Sequence, residues 1–220
     1  MASFFRNFLE SFCYLLYSLV FFLQYLNEHE NNKRVLAIYY FVISIVIYYA
    51  CRVALDYSDN NNWIYYIYYF SFAILMSYYF NQVLVGESVK KVNRYLLIIV
   101  LGVLLFTDIT SYPFFNSIGD GIFFLFIAVN SLIYFKQLLV KVDQKNILLN
   151  FDFWLISGYL VYFLGSFFII LTYNYFTGRV TEAQKVMLAD LWSIQNILLL
   201  ISSIVSLFGF LWIRFQKKLH

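Results

Sequence analysis

The side chains in this sequence that could do chemistry are few, and their spacing limits what that chemistry could be. Two histidines occur, His29 and His220. One lies in a turn and the other at the last residue, so neither can pair inside the membrane with a second His, Cys or carboxylate at ligand spacing. A helix-borne histidine pair for zinc and a Ser–His hydrolase are both excluded on that ground. The two cysteines, Cys13 and Cys51, sit in apolar runs with no C-x-x-C spacing and read as small buried hydrophobes. No glycine-rich phosphate loop is present, and the last apolar run, 187–213, contains no lysine that could carry a Schiff base. The sequence predicts neither cofactor nor metal.

Carboxylates and amides remain. Asp108, Asp120 and Asp190, joined by Glu10 and Asp56 with Arg52 as a counter-charge, are candidates for a ring around one mouth of a helical bundle. Ser117-Ile118-Gly119-Asp120 departs from the Gly-x-Gly-Asp motif of intramembrane aspartyl proteases at its first residue. Asp190, Ser193, Asn196, Leu200 and Ser203 recur at three- and four-residue steps, which puts them on one helical face. That face is a candidate cavity wall, and interhelical bonding is the competing use of the same residues. Asn130 lies at the middle of another apolar run and is expected to find a partner across the bundle, with Asn196 one option. Ser157, Gly158, Gly165 and Ser166 predict a seam of close helix approach.

The elements that must carry these residues follow from composition. The chain of 220 residues is 63% hydrophobic and 12% charged, whereas soluble domains carry roughly 25% charged residues. So much apolar surface demands lipid as solvent. In lipid an open strand leaves backbone groups unsatisfied, so the spans must be helices. Apolar runs near the length of a bilayer core fall at 5–26, 35–55, 63–83, 92–109, 121–140, 153–175 and 187–213. The predicted fold is an all-α membrane protein, a single domain over 1–220 built as one bundle of seven transmembrane helices. The first run lacks a basic leader and a small-residue cleavage site, and is read as a span.

Basic residues set the orientation, because Lys and Arg resist translocation. Alternate turns collect eleven of the fifteen bases on one side, among them Lys90, Lys91, Arg94, Lys136, Lys141, Lys145, Arg214, Lys217 and Lys218. The N-terminus is therefore expected outside and the C-terminus in the cytoplasm. The basic side is a candidate surface for anionic lipid or a cytoplasmic partner. The opposite side gathers seven acids against four bases. Tyr112-Pro113, in a turn without basic residues, is read as part of a lid over that mouth. Abundant Phe and Tyr, 26 and 21 residues, are attributed mainly to coding composition, not to an aromatic ligand cage.

Two stretches carry a family likeness: Asp152-Phe-Trp-Leu-Ile-Ser-Gly-Tyr-Leu-Val-Tyr-Phe-Leu-Gly-Ser-Phe and Leu191-Trp192-Ser193-Ile194-Gln195-Asn196-Ile197. Over the last third of the chain they resemble a group of small bacterial seven-helix inner-membrane proteins often encoded beside sensor histidine kinases. The resemblance rests on hydrophobic and small residues and brings no catalytic motif. It implies a sensory or accessory subunit that passes a signal to a separate protein, such as a histidine kinase. Two alternatives stand beside it: a lipid-modifying enzyme using the outer aspartates, and a carrier for a small molecule. The enzyme needs two of Asp108, Asp120 and Asp190 close together; the carrier lacks a visible repeat or broken helix. The bilayer is the expected partner, a second copy of the chain is left open, and nothing points to nucleic acid.

Overall fold

With eight glycines and one proline in the whole chain, little interrupts the helices. The computed structural model describes residues 2–27, 36–42, 45–46, 50, 62–111, 116–140, 147–177 and 182–219. Every regular element among them is helical. In chain order these are α1 (Ala2–Asn27), α2 (36–42), α3 (Asn62–Val83), α4 (Glu87–Ser111), α5 (Ser117–Val140), a 3-10 turn at Ile147–Leu149, α6 (Phe151–Tyr159), a π turn at Leu160–Leu164, α7 (Gly165–Thr177) and α8 (Glu182–Leu219).

Among the described residues four stretches are long and apolar enough to cross a membrane: Glu87–Thr110, Ser117–Val140, Phe151–Tyr173 and Met187–Gln216. In α1 the apolar part is shorter, Leu15–Leu26. Helix α3 has 22 residues, six of them tyrosines, whose hydroxyls lower its hydropathy. The expected run 35–55 lies largely outside the described residues. Outward-facing surface is strongly apolar, with Phe106 69% and Leu139 81% exposed, as a lipid-facing wall requires.

Helix ends differ from the expected turns. Asp108 and Asp120, expected at a loop, both lie inside helices, because α4 runs on to Ser111 and α5 begins at Ser117. Asn116 makes this early start stable: its side-chain oxygen accepts the Gly119 N–H at 2.9 Å, as an N-cap does. Asp152, expected in a turn, belongs to the first turn of α6, where the Asn150 side chain accepts its N–H at 2.9 Å. The turn between α3 and α4 bends at Gly86, with φ +92°, a conformation in which a Cβ is strained.

The packing order places the core. Helix α8 lies against α1, α6 and α7, while α5 lies against α4, α7 and the π turn, and α3 against α4 and α5. Rings fill the centre. Phe163, in the π turn, meets Phe124 at 5.0 Å, Tyr159 and Phe123 at 5.9 Å, and Phe72 at 6.4 Å. The first three are edge-to-face pairs, which contribute about 0.5–1.5 kcal/mol each beyond area burial. They matter more here, since lipid tails remove the hydrophobic drive between helices.

The expected seam of small residues forms between α6 and α8. A Cβ on Gly158 would stand 2.7 Å from the Ser202 carbonyl oxygen and 2.8 Å from Ser206 Oγ. Two helix backbones touch there.

Candidate functional site

Five elements converge on one small cavity beside this ring cluster. Helix α3 contributes Tyr65, Tyr68 and Tyr69, which its 3.6-residue period puts on one face. Helix α1 adds Tyr17, α5 adds Phe123 and Phe124, and the π turn adds Tyr162 and Phe163. The wall from α8 is Trp192, Gln195 and Leu199. The cavity is about 30 Å³, room for a water-sized group.

The π turn shapes this chamber. A wide turn adds a residue to the helix and offsets everything after it, and such turns are common at functional sites. Here the two cavity residues of that helix, Tyr162 and Phe163, both lie within the turn. Gln195 is the one amide in the wall. Its Nε2 donates to the Tyr162 hydroxyl at 3.3 Å, while its Oε1 is buried with no partner. Tyr159, next to Phe163, also has a buried hydroxyl without a partner. Unpaired buried acceptors are costly, so a chamber of this size that keeps one is suited to a single water-sized donor.

The sequence placed the polar wall one residue away. Asp190, Ser193 and Asn196 share a face of α8, but the face in the cavity is Trp192, Gln195 and Leu199. One residue is a rotation of about 100° on a helix. Asn196 instead sits where α8 meets α1, its carbonyl accepting Cys13 Sγ–H at 3.3 Å. Ser193 donates back to the Ala189 carbonyl at 2.8 Å, and Asp190 is exposed. Asn130 does not reach Asn196. Its amide donates to the Phe126 carbonyl of its own helix at 2.9 Å, the nearest acceptor available, and its Oδ1 has no partner. The tyrosines Tyr65, Tyr68 and Tyr69, which composition alone had explained, line the chamber.

Of the acids, the structure brings Asp108 and Asp120 to one corner. Asn116 Nδ2 donates both to Thr107 Oγ1, at 2.7 Å, and to Asp108 Oδ1. Asp120 is 1% exposed, and among the described residues neither of its carboxylate oxygens has a partner. Asn116 links the two, since its carbonyl also accepts the Asp120 N–H at 3.0 Å. Asp190, on a helix packed against α1, α6 and α7, is not part of this corner. Glu10 lies in α1 with its side chain outside the described residues, as are Arg52, Asp56 and the expected lid residues Tyr112 and Pro113. No group of three or more His, Cys, Asp or Glu converges among the described residues.

The other end of the bundle holds polar contacts that hydropathy could not show. Tyr79 Oη donates to Asp152 Oδ1 at 2.8 Å, joining α3 to α6. Asn93 Nδ2 donates to the Ser77 carbonyl at 2.8 Å, joining α3 to α4. The Gln137 side chain takes the Val85 N–H at 2.9 Å and donates to its carbonyl at 2.7 Å. Among the expected cytoplasmic bases, Arg94 pairs with Glu87, and Lys91 and Arg214 are exposed with Lys90 half-buried. Lys141 and Lys145 are outside the described residues, as are the side chains of Lys217 and Lys218.

Comparison with protein-family models, curated proteins and solved structures finds nothing that matches this chain.

Proposed function

We propose that this chain is a multi-pass inner-membrane sensor or receptor-like subunit, N-terminus outside and C-terminus in the cytoplasm, that passes a ligand's presence to a separate protein. Seven spans are the reading. The four long apolar stretches support it, and the reading completes the count with α1, α3 and the run 35–55. The charge bias of eleven bases against four gives the orientation. A histidine kinase is the partner the sequence resemblance implies.

One observation carries the reading: five elements meet at one aromatic chamber, one through a π turn, and Gln195, which lines it, keeps a buried acceptor unpaired among the described residues. A ligand there touches α1, α3, α5 and α8 together. Differential contact of that kind can shift a bundle between arrangements. In the proposed orientation the chamber lies in the outer half, since α3, α5 and α8 all enter it from their N-terminal halves.

The test is capture at native expression. Tagged chain is crosslinked in its own membranes, and the co-isolated kinase or other effector is assayed with wild-type chain, with Gln195→Leu, and without the chain. The effector's activity should change when the chain is removed and should respond to Gln195→Leu. A chain that isolates alone, or an effector indifferent to it, overturns the proposal.

A second reading has its own support. Asp108 and Asp120 share a corner with Thr107 and Asn116, so two of the three acids that a lipid-modifying enzyme would use come together. Lipid extracts from cells expressing wild type, Asp108→Asn and Asp120→Asn would separate the readings. A lipid species that appears only with wild type supports the enzyme; identical lipids in all three dismiss it.

A further inference from the structure

At the end of the bundle marked by the α3–α4 turn, an open apolar groove of about 390 Å³ runs between the first turns of α4 and the last turns of α5. Its walls are Val89 and Val92 from one helix and Ile133 and Val140 from the other. Short β-branched side chains leave the volume unfilled. The floor is fixed, because Gln137 grips both backbone groups of Val85, and Gly86 holds the turn that follows. The groove is thus part of the folded bundle. Its size lies in the range of ligand pockets.

Lys136 stands at the rim, one turn before the end of α5 at Val140, exposed and in no ion pair with any described residue. A lysine at that depth reaches the headgroup layer along its own apolar stem. Among the described residues Lys136 is the one charged side chain that lines the groove; Lys90 and Lys91 flank its α4 wall without lining it, and Arg94 pairs with Glu87. Around the mouth the surface is apolar, with Val140 74% and Leu139 81% exposed. Water has no place there. An acyl chain does.

We infer that this groove is a binding site for an anionic phospholipid, with one acyl chain between α4 and α5 and the phosphate group at Lys136. The acyl chain gains little by leaving bulk lipid for an apolar groove, since both are hydrocarbon. Selectivity therefore comes from charge, and one lysine near the membrane surface gives about a fivefold preference for an anionic headgroup. The inference rests on the chain crossing the membrane and is independent of what the aromatic chamber binds.

Native mass spectrometry of the full chain, released from mixed phosphatidylglycerol and phosphatidylcholine vesicles, tests it. Wild type is expected to retain phosphatidylglycerol about fivefold over phosphatidylcholine. Lys136→Gln should abolish the preference, Lys136→Arg should keep it, and Arg214→Gln, on α8, should leave it intact. Val92→Trp, at an exposed wall position, should lower retention of both lipids. Melting curves in the same detergent establish that each variant is folded. Equal retention of the two lipids by wild type, a preference that survives Lys136→Gln, or equal loss with Arg214→Gln overturns the site. Extraction of the chain from membranes by alkaline carbonate would instead overturn the membrane reading itself, which keeps the two failures apart.

Discussion

Asp120 and Asp152 are two buried carboxylates in opposite situations. Asp152 accepts from Tyr79 and sits beside its N-cap Asn150, whereas Asp120 has no partner for either oxygen. A buried group left without a partner costs about 1–3 kcal/mol, more when charged. Asp120→Asn, which removes the ionisable group and keeps the shape, is expected to raise the melting temperature in detergent. A fall would mean that Asp120 makes an interaction stronger than its burial costs. At Asp152 the sign reverses. Tyr79→Phe should lose about 1–3 kcal/mol, and a cycle with Asp152→Asn should show coupling above about 0.5 kcal/mol; additive losses would sink the claim that this bond joins α3 to α6. None of this was legible in the sequence. Polarity marked Asn130, Asn196 and Asp108 as residues needing partners, but the partner depends on which neighbour a side chain meets. Asn130 turned to its own helix, and Gln195, one residue off the marked face, holds the cavity position.

Helices were more readable than their partners. Hydrophobic length located α4, α5 and α8, because a membrane span must be near 20 residues whatever it packs against. The sixth run was also found, but its division by a π turn was not, since no residue type requires an extra residue per turn. Small residues were the better signal. Gly158 marked the place where α6 and α8 touch, and the contact with Ser202 and Ser206 follows from its missing Cβ. Gly158→Ala should therefore force the helices apart at a cost of about 1–3 kcal/mol. Gly102 in α4 meets nothing within 4 Å of an added Cβ, so Gly102→Ala should be neutral or stabilise by up to about 1 kcal/mol through helix propensity. Thermal denaturation of both variants in one detergent checks the pair. Equal effects would show that backbone propensity, and not the α6–α8 contact, sets the response.

The bundle as a whole is asymmetric, and its two ends invite different chemistry. Asp108, Asp120 and the aromatic chamber lie toward one end, and Asp152, Glu87 and Lys136 with its apolar groove lie at the other. Which end faces the cytoplasm depends on charges that are mostly in the turns, outside the packed core. Orientation is therefore a property of insertion, argued from lysine and arginine counts, and packing alone cannot express it. Single-cysteine labelling decides it. With Cys13 and Cys51 replaced by alanine, a cysteine at position 179 should react in intact cells with a membrane-impermeant maleimide. A cysteine at Lys217 should react only after the membrane is opened. The reverse pattern would turn the chamber toward the cytoplasm and put Lys136 on the outer leaflet, away from the anionic inner surface that favours it. Labelling of both positions in intact cells would mean an even number of crossings between them, and the unit of α8 as one span would fail. Because α8 carries Trp192, Gln195 and Leu199 near its start and Arg214 near its end, this one measurement fixes the side from which a ligand reaches Gln195.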